Sequence, residues 1–188
     1  MRAVPNLCIL SPADCTEVVQ VTTAAARCGR PIYIRLTGTP GNPMIYRDDY
    51  PFTIGKSISL RTGTGISIIA TGSMVHHSLK AAEILETRGF SVSVINMHTI
   101  KPLDTGVVDA ACSCSSALVT VEEHSIIGGL GGAVAEYLSD RMNKPRHLII
   151  GIPDSFPPAG DYSYLIEQAG LTGLQIAEKI LNRLYGES

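Results

Sequence analysis

Near-continuous apolar runs at regular spacing constrain this chain more than any other feature. Residues 66–70 read Ile-Ser-Ile-Ile-Ala and residues 147–152 read His-Leu-Ile-Ile-Gly-Ile, with further strand-like runs at 92–97 and from Ala117 between them. A strand with one face in water alternates apolar and polar residues, whereas a strand covered on both faces stays apolar. Helical stretches separate the runs. Ser73 precedes one that reaches Arg88, with Met74, Leu79, Ala82 and Leu85 roughly on one face, and Gly89 stops it. Others follow at 103–111, after the Lys101-Pro102 break, at 130–142 and at 173–184. This alternation predicts an α/β fold: three layers, with a mostly parallel sheet between helices. Residues 57–60 precede Gly63-Thr64-Gly65, which predicts a hairpin with 66–70.

The first part of the chain reads as a separate unit. Residues 7–10 form a short apolar strand, Asp14 is a good N-cap, and Glu17 three residues later completes a capping box for a helix to about Arg27. Gly29 ends that helix, and Pro31 opens a second strand at 32–36. One βαβ crossover leaves most of its apolar surface bare, so this unit reads as the truncated end of a larger domain. Pro40, Gly41, Pro43 and Pro51 break regular structure after it. The expected division is residues 1–44, a linker at 45–56, and a complete α/β domain at 57–188.

Composition excludes several classes. The 188 residues carry a net charge of −2 with acids and bases scattered, which argues against nucleic-acid and anionic-membrane surfaces. No apolar run approaches a membrane span, and the N-terminus has no signal-peptide pattern. Cys8, Cys15, Cys28, Cys112 and Cys114 form no Cys-x-x-Cys pair, and an odd count without framework spacing fits reduced thiols in the cytoplasm. The 45% hydrophobic content is explained by buried parallel strands, with a subunit interface as the alternative for part of it.

The richest stretch runs from Ala117 to Leu138. It predicts a buried strand, a polar loop with Glu122, Glu123 and His124, then a glycine-rich helix entry. Two carboxylates and an imidazole at a strand end suit proton handling, and equally suit hydrogen bonds in a structural or interface role. Gly128-Gly129-Leu130-Gly131-Gly132 sits where a dinucleotide fingerprint would, but Val134 fills the third glycine's place; close packing of helix on sheet is the favoured reading. Gly55-Lys56-Ser57 mimics the end of a P-loop, yet Tyr50 stands where its first glycine belongs. His76 and His77 are adjacent and point to different helix faces, against a shared metal. Ser73 and its helix start are read as a cap, with anion binding as the alternative. Arg35 ends an apolar strand, and its guanidinium fits either a phosphate or a structural ion pair.

Taken together these segments resemble the transketolase family. Residues 2–6 (Arg-Ala-Val-Pro-Asn), Ser11-Pro12-Ala13-Asp14 with Glu17, and Pro31-Ile32-Tyr33-Ile34-Arg35 look like the tail of that family's pyrimidine-binding domain. Gly55-Lys56, Ala70-Thr71-Gly72-Ser73, Lys101-Pro102-Leu103-Asp104, Val121-Glu122-Glu123-His124, Gly128-Gly129-Leu130-Gly131 and Gly151-Ile152-Pro153-Asp154 are similar to its C-terminal domain. The resemblance is nearest to stand-alone C-terminal transketolase subunits, with 1-deoxyxylulose-5-phosphate synthase next, and covers nearly the whole chain. It implies two-carbon ketol transfer between sugar phosphates, using thiamine diphosphate and magnesium. The family holds that cofactor through a Gly-Asp-Gly motif in an N-terminal domain, and no Gly-Asp-Gly occurs here. The resemblance therefore implies a partner N-terminal half, no cofactor on this chain alone, no activity by it alone, and a homo-oligomer. Arg35 matches the family's substrate-phosphate arginine. Glu122, Glu123 and His124 match a recurring C-terminal-domain motif and are the candidate catalytic residues. Alternatives are a section of deoxyxylulose-phosphate synthase, a 2-oxoacid dehydrogenase beta subunit, or a non-catalytic dimerisation module.

Overall fold

A computed structural model describes residues 1–37, 43–48 and 50–186. Pro40 and Gly41, expected to break regular structure, lie outside the described residues. The chain opens with β1 (Cys8–Leu10), α1 (Cys15–Arg27) and β2 (Ile32–Ile34), and β1 pairs parallel with β2. Asp14 caps α1 by accepting from the Glu17 amide at 2.9 Å. Gly29 adopts the left-handed conformation that ends this segment, with φ of 66°.

The larger sheet is built from β3 (Ile58–Arg61), β4 (Ile66–Ala70), β5 (Val92–Asn96), β7 (Ala117–Ser125) and β8 (Arg146–Ile152), in the order β3-β5-β4-β7-β8. Every pairing is parallel except β3 with β5. A short β6 (Thr99–Lys101), which local pattern does not predict, pairs antiparallel with β1 and ties the first unit to the second.

The expected hairpin does not form. The fully buried β4 has β5 and β7 on its two edges, leaving no place for β3. The Gly63–Gly65 turn instead crosses the start of β5: Gly65 and Ile66 donate to the Ser91 carbonyl, and a Cβ on Gly63 would fall 2.3 Å from the Val92 backbone. That close approach is why glycine stands there, and it carries β3 to the far edge of β5.

Alternate strand residues feed two cores. Ile66, Ile68, Val94, Val119 and Val121 pack against α2 (Met74–Thr87), α5 (Tyr162–Gln168) and α6 (Gly173–Leu184) through Met74, Leu85, Ile166 and Ile176. On the opposite face Ile69, Ile95 and Leu118 meet α3 (Thr105–Cys114) and α4 (Leu130–Tyr137) through Val108, Leu130 and Val134. Each fully buried Leu or Ile contributes on the order of 2 kcal/mol of hydrophobic free energy. Helices on both faces follow from the strand order: the chain runs from β4 outward to β5 through α2, and from β7 outward the other way through α4, as right-handed crossovers require. Among the described residues no helix is long and apolar enough to cross a membrane.

Candidate functional site

Neighbouring strands whose following helices leave to opposite faces open a crevice at their carboxyl ends, the usual ligand position in open α/β sheets. Here those strands are β4 and β7. Thr71, Gly72 and Ser73 follow β4, and Glu122, Glu123 and His124 form the end of β7 itself rather than the loop expected from sequence. Ser11, Arg35, Thr37 and Ile100 close the crevice from the smaller sheet. The enclosed space is about 20 Å³, room for a water-sized group. A wider cavity of about 490 Å³ adjoins it beyond His124 and Ile100, lined also by Arg2, Tyr33 and Ile127.

The three candidates of β7 go separate ways. Glu122 is 1% exposed and caps α4, accepting from the amides of Leu130 at 2.7 Å and Gly131 at 2.8 Å. Burial pushes its carboxyl up, while those two amides oppose the shift. Glu123 accepts through Oε2 from the Ser73 hydroxyl and from Tyr162 OH at 2.6 Å. Burial, and next that carboxylate, push the Tyr162 phenol up, so it stays a donor. His124 donates from Nδ1 to the Ser125 carbonyl at 2.8 Å, and the same nitrogen lies 3.9 Å from the engaged Glu122. Arg35, directly after β2, donates from Nη2 to the Glu123 carbonyl; among the described residues this is the only hydrogen bond of its guanidinium, while its amide donates to the Leu10 carbonyl at 2.8 Å. The remaining guanidinium N–H groups face no protein acceptor there, the condition under which an arginine takes an anion.

Ser73 does not cap α2. Its backbone is already helical and its hydroxyl turns to Glu123. Sequence offers no local signal for that choice, nor for Tyr162, because the partner is long-range. The glycines before α4 allow close packing: a Cβ on Gly131 would come within 2.4 Å of Ile149 Cγ2, and one on Gly129 within 1.9 Å of Glu122 Oε2. A nucleotide phosphate at the α4 N-terminus would meet the Glu122 carboxylate already bound there, which explains the broken fingerprint. Gly55-Lys56-Ser57 precedes a strand, and Ser57 donates to Asp104 at 2.9 Å. His76 and His77 pack edge to face with centroids 5.5 Å apart, and burial pushes His77 down to about 4.

The family model for the transketolase C-terminal domain matches residues 55–176. The chain belongs to the transketolase family. It is 38% identical over its full length to a putative transketolase C-terminal section from Methanocaldococcus jannaschii, covering 58% of that protein. It is equally 38% identical, over 96% of its length, to a 1-deoxy-D-xylulose-5-phosphate synthase from Chlorobium phaeovibrioides, covering 29% of that enzyme. The fold matches a split-gene transketolase, described as an inactive β4 tetramer, with a TM-score of 0.88 and 33% identity over the whole chain and 60% of that structure. The transketolase-family chain thus spans between about a third and three fifths of the relatives it matches.

The described residues offer no fit for the family's metal and diphosphate. Among the described residues no three His, Cys, Asp or Glu side chains gather as metal ligands. The α4 N-terminus, where amides face outward, already holds the Glu122 carboxylate.

Proposed function

We propose that this chain is the C-terminal section of a thiamine-diphosphate-dependent, transketolase-type transferase. Its partner is a subunit or half that carries the cofactor-binding residues. The cofactor's ylid supplies the carbon–carbon chemistry when bound. This chain supplies Arg35 for the phosphate of a sugar phosphate. The observation that carries the reading is Arg35 at the carboxyl-end crevice, its guanidinium held by one carbonyl and its other guanidinium donors unpaired among the described residues. We take 1–44 as the remnant of the pyrimidine-binding domain, 45–56 as linker and 57–188 as the C-terminal domain, a division supported by the family match from residue 55. Thiols Cys8, Cys15, Cys28, Cys112 and Cys114, all free, support a cytoplasmic location.

The similar split-gene structure, an inactive β4 tetramer, supports inactivity of the isolated chain and association with its own copies. Exposed Met1, Val4, Leu36 and Ile127 support a covering partner on the β1–β2 side, since Met1 and Ile127 share the larger cavity with Tyr33. The deoxyxylulose-phosphate synthase reading rests on an identity no lower than the transketolase one, and a donor screen of ketose phosphate against pyruvate separates them.

The test uses the chain assembled with its co-expressed N-terminal half. Arg35→Ala should raise KM for an aldose phosphate acceptor by about 10- to 100-fold, as expected when a charge-assisted hydrogen bond is lost. The same aldose without phosphate should be unaffected. Equal changes for both acceptors would remove Arg35 from the phosphate role, and transfer activity in the isolated chain would overturn the reading as a section.

A further inference from the structure

Arg35 directly follows β2, yet the group that orients it comes from 88 residues further along the chain. The Glu123 carbonyl that receives Nη2 is presented by an irregular strand end. β7 and β8 stay in register to Val121 and Ile150, and the next pair is Ser125 with Ile152. Four steps on one strand therefore match two on the other. Bulged segments re-aim backbone groups beside functional sites, and they need other contacts to fix them because the ladder does not. Glu123 has those contacts. Its Oε2 accepts from both Ser73, just before α2, and Tyr162, the first residue of α5.

We infer that Glu123 is a positioning residue for Arg35: its side chain, pinned by Ser73 and Tyr162, fixes the bulged carbonyl that aims the guanidinium. This rests on the reading that Arg35 meets the substrate phosphate. Two features distinguish the arrangement from a plain structural ion pair. The carboxylate forms no salt bridge with Arg35 among the described residues, so the cation is oriented without being neutralised. Both donors meet one oxygen, so the anchor requires an acceptor and not a charge. Glutamine keeps that acceptor; alanine removes it. The C-terminal domain thereby sets the geometry of a residue belonging to the other sheet.

The experiment follows the arginine side-chain NMR signals of the purified full chain while inorganic phosphate is added, with Arg35 assigned through Arg35→Lys. The wild type should show a rotationally restricted Arg35 guanidinium whose Nε signal moves with phosphate. Glu123→Ala should release the rotation and weaken phosphate binding about tenfold, the size of one lost hydrogen bond. Glu123→Gln should restore both, and Tyr162→Phe, which removes a single hydroxyl, should fall between. An Arg35 signal unchanged in Tyr162→Phe and in folded Glu123→Ala overturns the positioning role. A Gln variant as impaired as Ala overturns it too, by assigning the effect to charge. A wild-type Nε signal that ignores phosphate overturns the phosphate reading instead, while restricted rotation lost in Glu123→Ala still establishes the anchor.

Discussion

Glu17→Ala should destabilise the chain by roughly 3 kcal/mol or more, because buried donors left without an acceptor cost about 1–3 kcal/mol each. Glu17 is fully buried where α1, β5 and the residues around Tyr46 and Tyr50 meet. Its carboxylate accepts from the Ala13 amide at 2.6 Å, from Asn96 Nδ2 at 2.9 Å and 3.1 Å, and from the Tyr50 hydroxyl. Asp14 beside it accepts from the amides of Ile45 at 2.7 Å and Tyr46 at 2.8 Å, so the two acids fasten this segment to the helix start. Alanine would take this acceptor from three donors at once, of which Asn96 Nδ2 alone keeps another, the Tyr46 hydroxyl at 2.8 Å. Thermal or urea unfolding reads the loss, at about 2–4 °C per kcal/mol for a domain of this size. Glu17→Gln should recover most of it, since its carbonyl oxygen can still serve Ala13 and Asn96.

The same residue gives a signed pH dependence. Burial holds the Glu17 carboxyl above its usual range, with the Tyr50, Ala13 and Asn96 hydrogen bonds opposing that shift. The native state then binds its proton more tightly than the unfolded chain. Its contribution is fully present below the ordinary carboxyl range and is lost as pH rises through the raised value. The stability difference between wild type and Glu17→Gln should therefore shift toward Gln as pH rises. A difference that is flat with pH, or alanine matching glutamine, would show that Glu17 does not have this role.

Gly129→Ala should be nearly as damaging, by more than cap preference alone accounts for. Gly129 is the N-cap of α4, where glycine is already preferred over alanine, and a Cβ there would also lie 1.9 Å from Glu122 Oε2. Glu122 cannot swing away cheaply, because it is buried and satisfies the first two amides of α4. Displacing it orphans those donors, at about 1–3 kcal/mol each. The origin is testable by a double-mutant cycle read by urea unfolding. Gly129→Ala should cost far less in a Glu122→Ala background, where the clashing group is gone, whereas additive costs would place the damage elsewhere.

Glu122 and Glu17 also show where sequence stops informing. Asp14 and Glu17 have the spacing of a capping box, and Asp14 does cap α1. The spacing says nothing of Asn96, 79 residues away, or of Tyr50, so a motif read as local is a tertiary junction. The runs at 66–70 and 117–121 announced buried parallel strands because burial on both faces writes itself into composition. β6 and the partner of β3 did not show, since three- and four-residue strands are defined by what they pair with, not by their own period. In the crevice, the order of residues at the end of β7 was legible, but their division of labour was not. Adjacent strand residues point to opposite faces, which sends Glu122 to α4 and Glu123 to Ser73 and Tyr162.

The central claim, that this transketolase-family chain supplies the Arg35 side of a site whose cofactor is held by a partner, is tested most directly by calorimetry. Thiamine diphosphate with magnesium is titrated into the purified chain, and then into the chain mixed with its N-terminal half. No binding heat is expected for the chain alone, and saturable binding is expected in the mixture. Saturable binding by the isolated chain would contradict the claim, placing the cofactor site on this half.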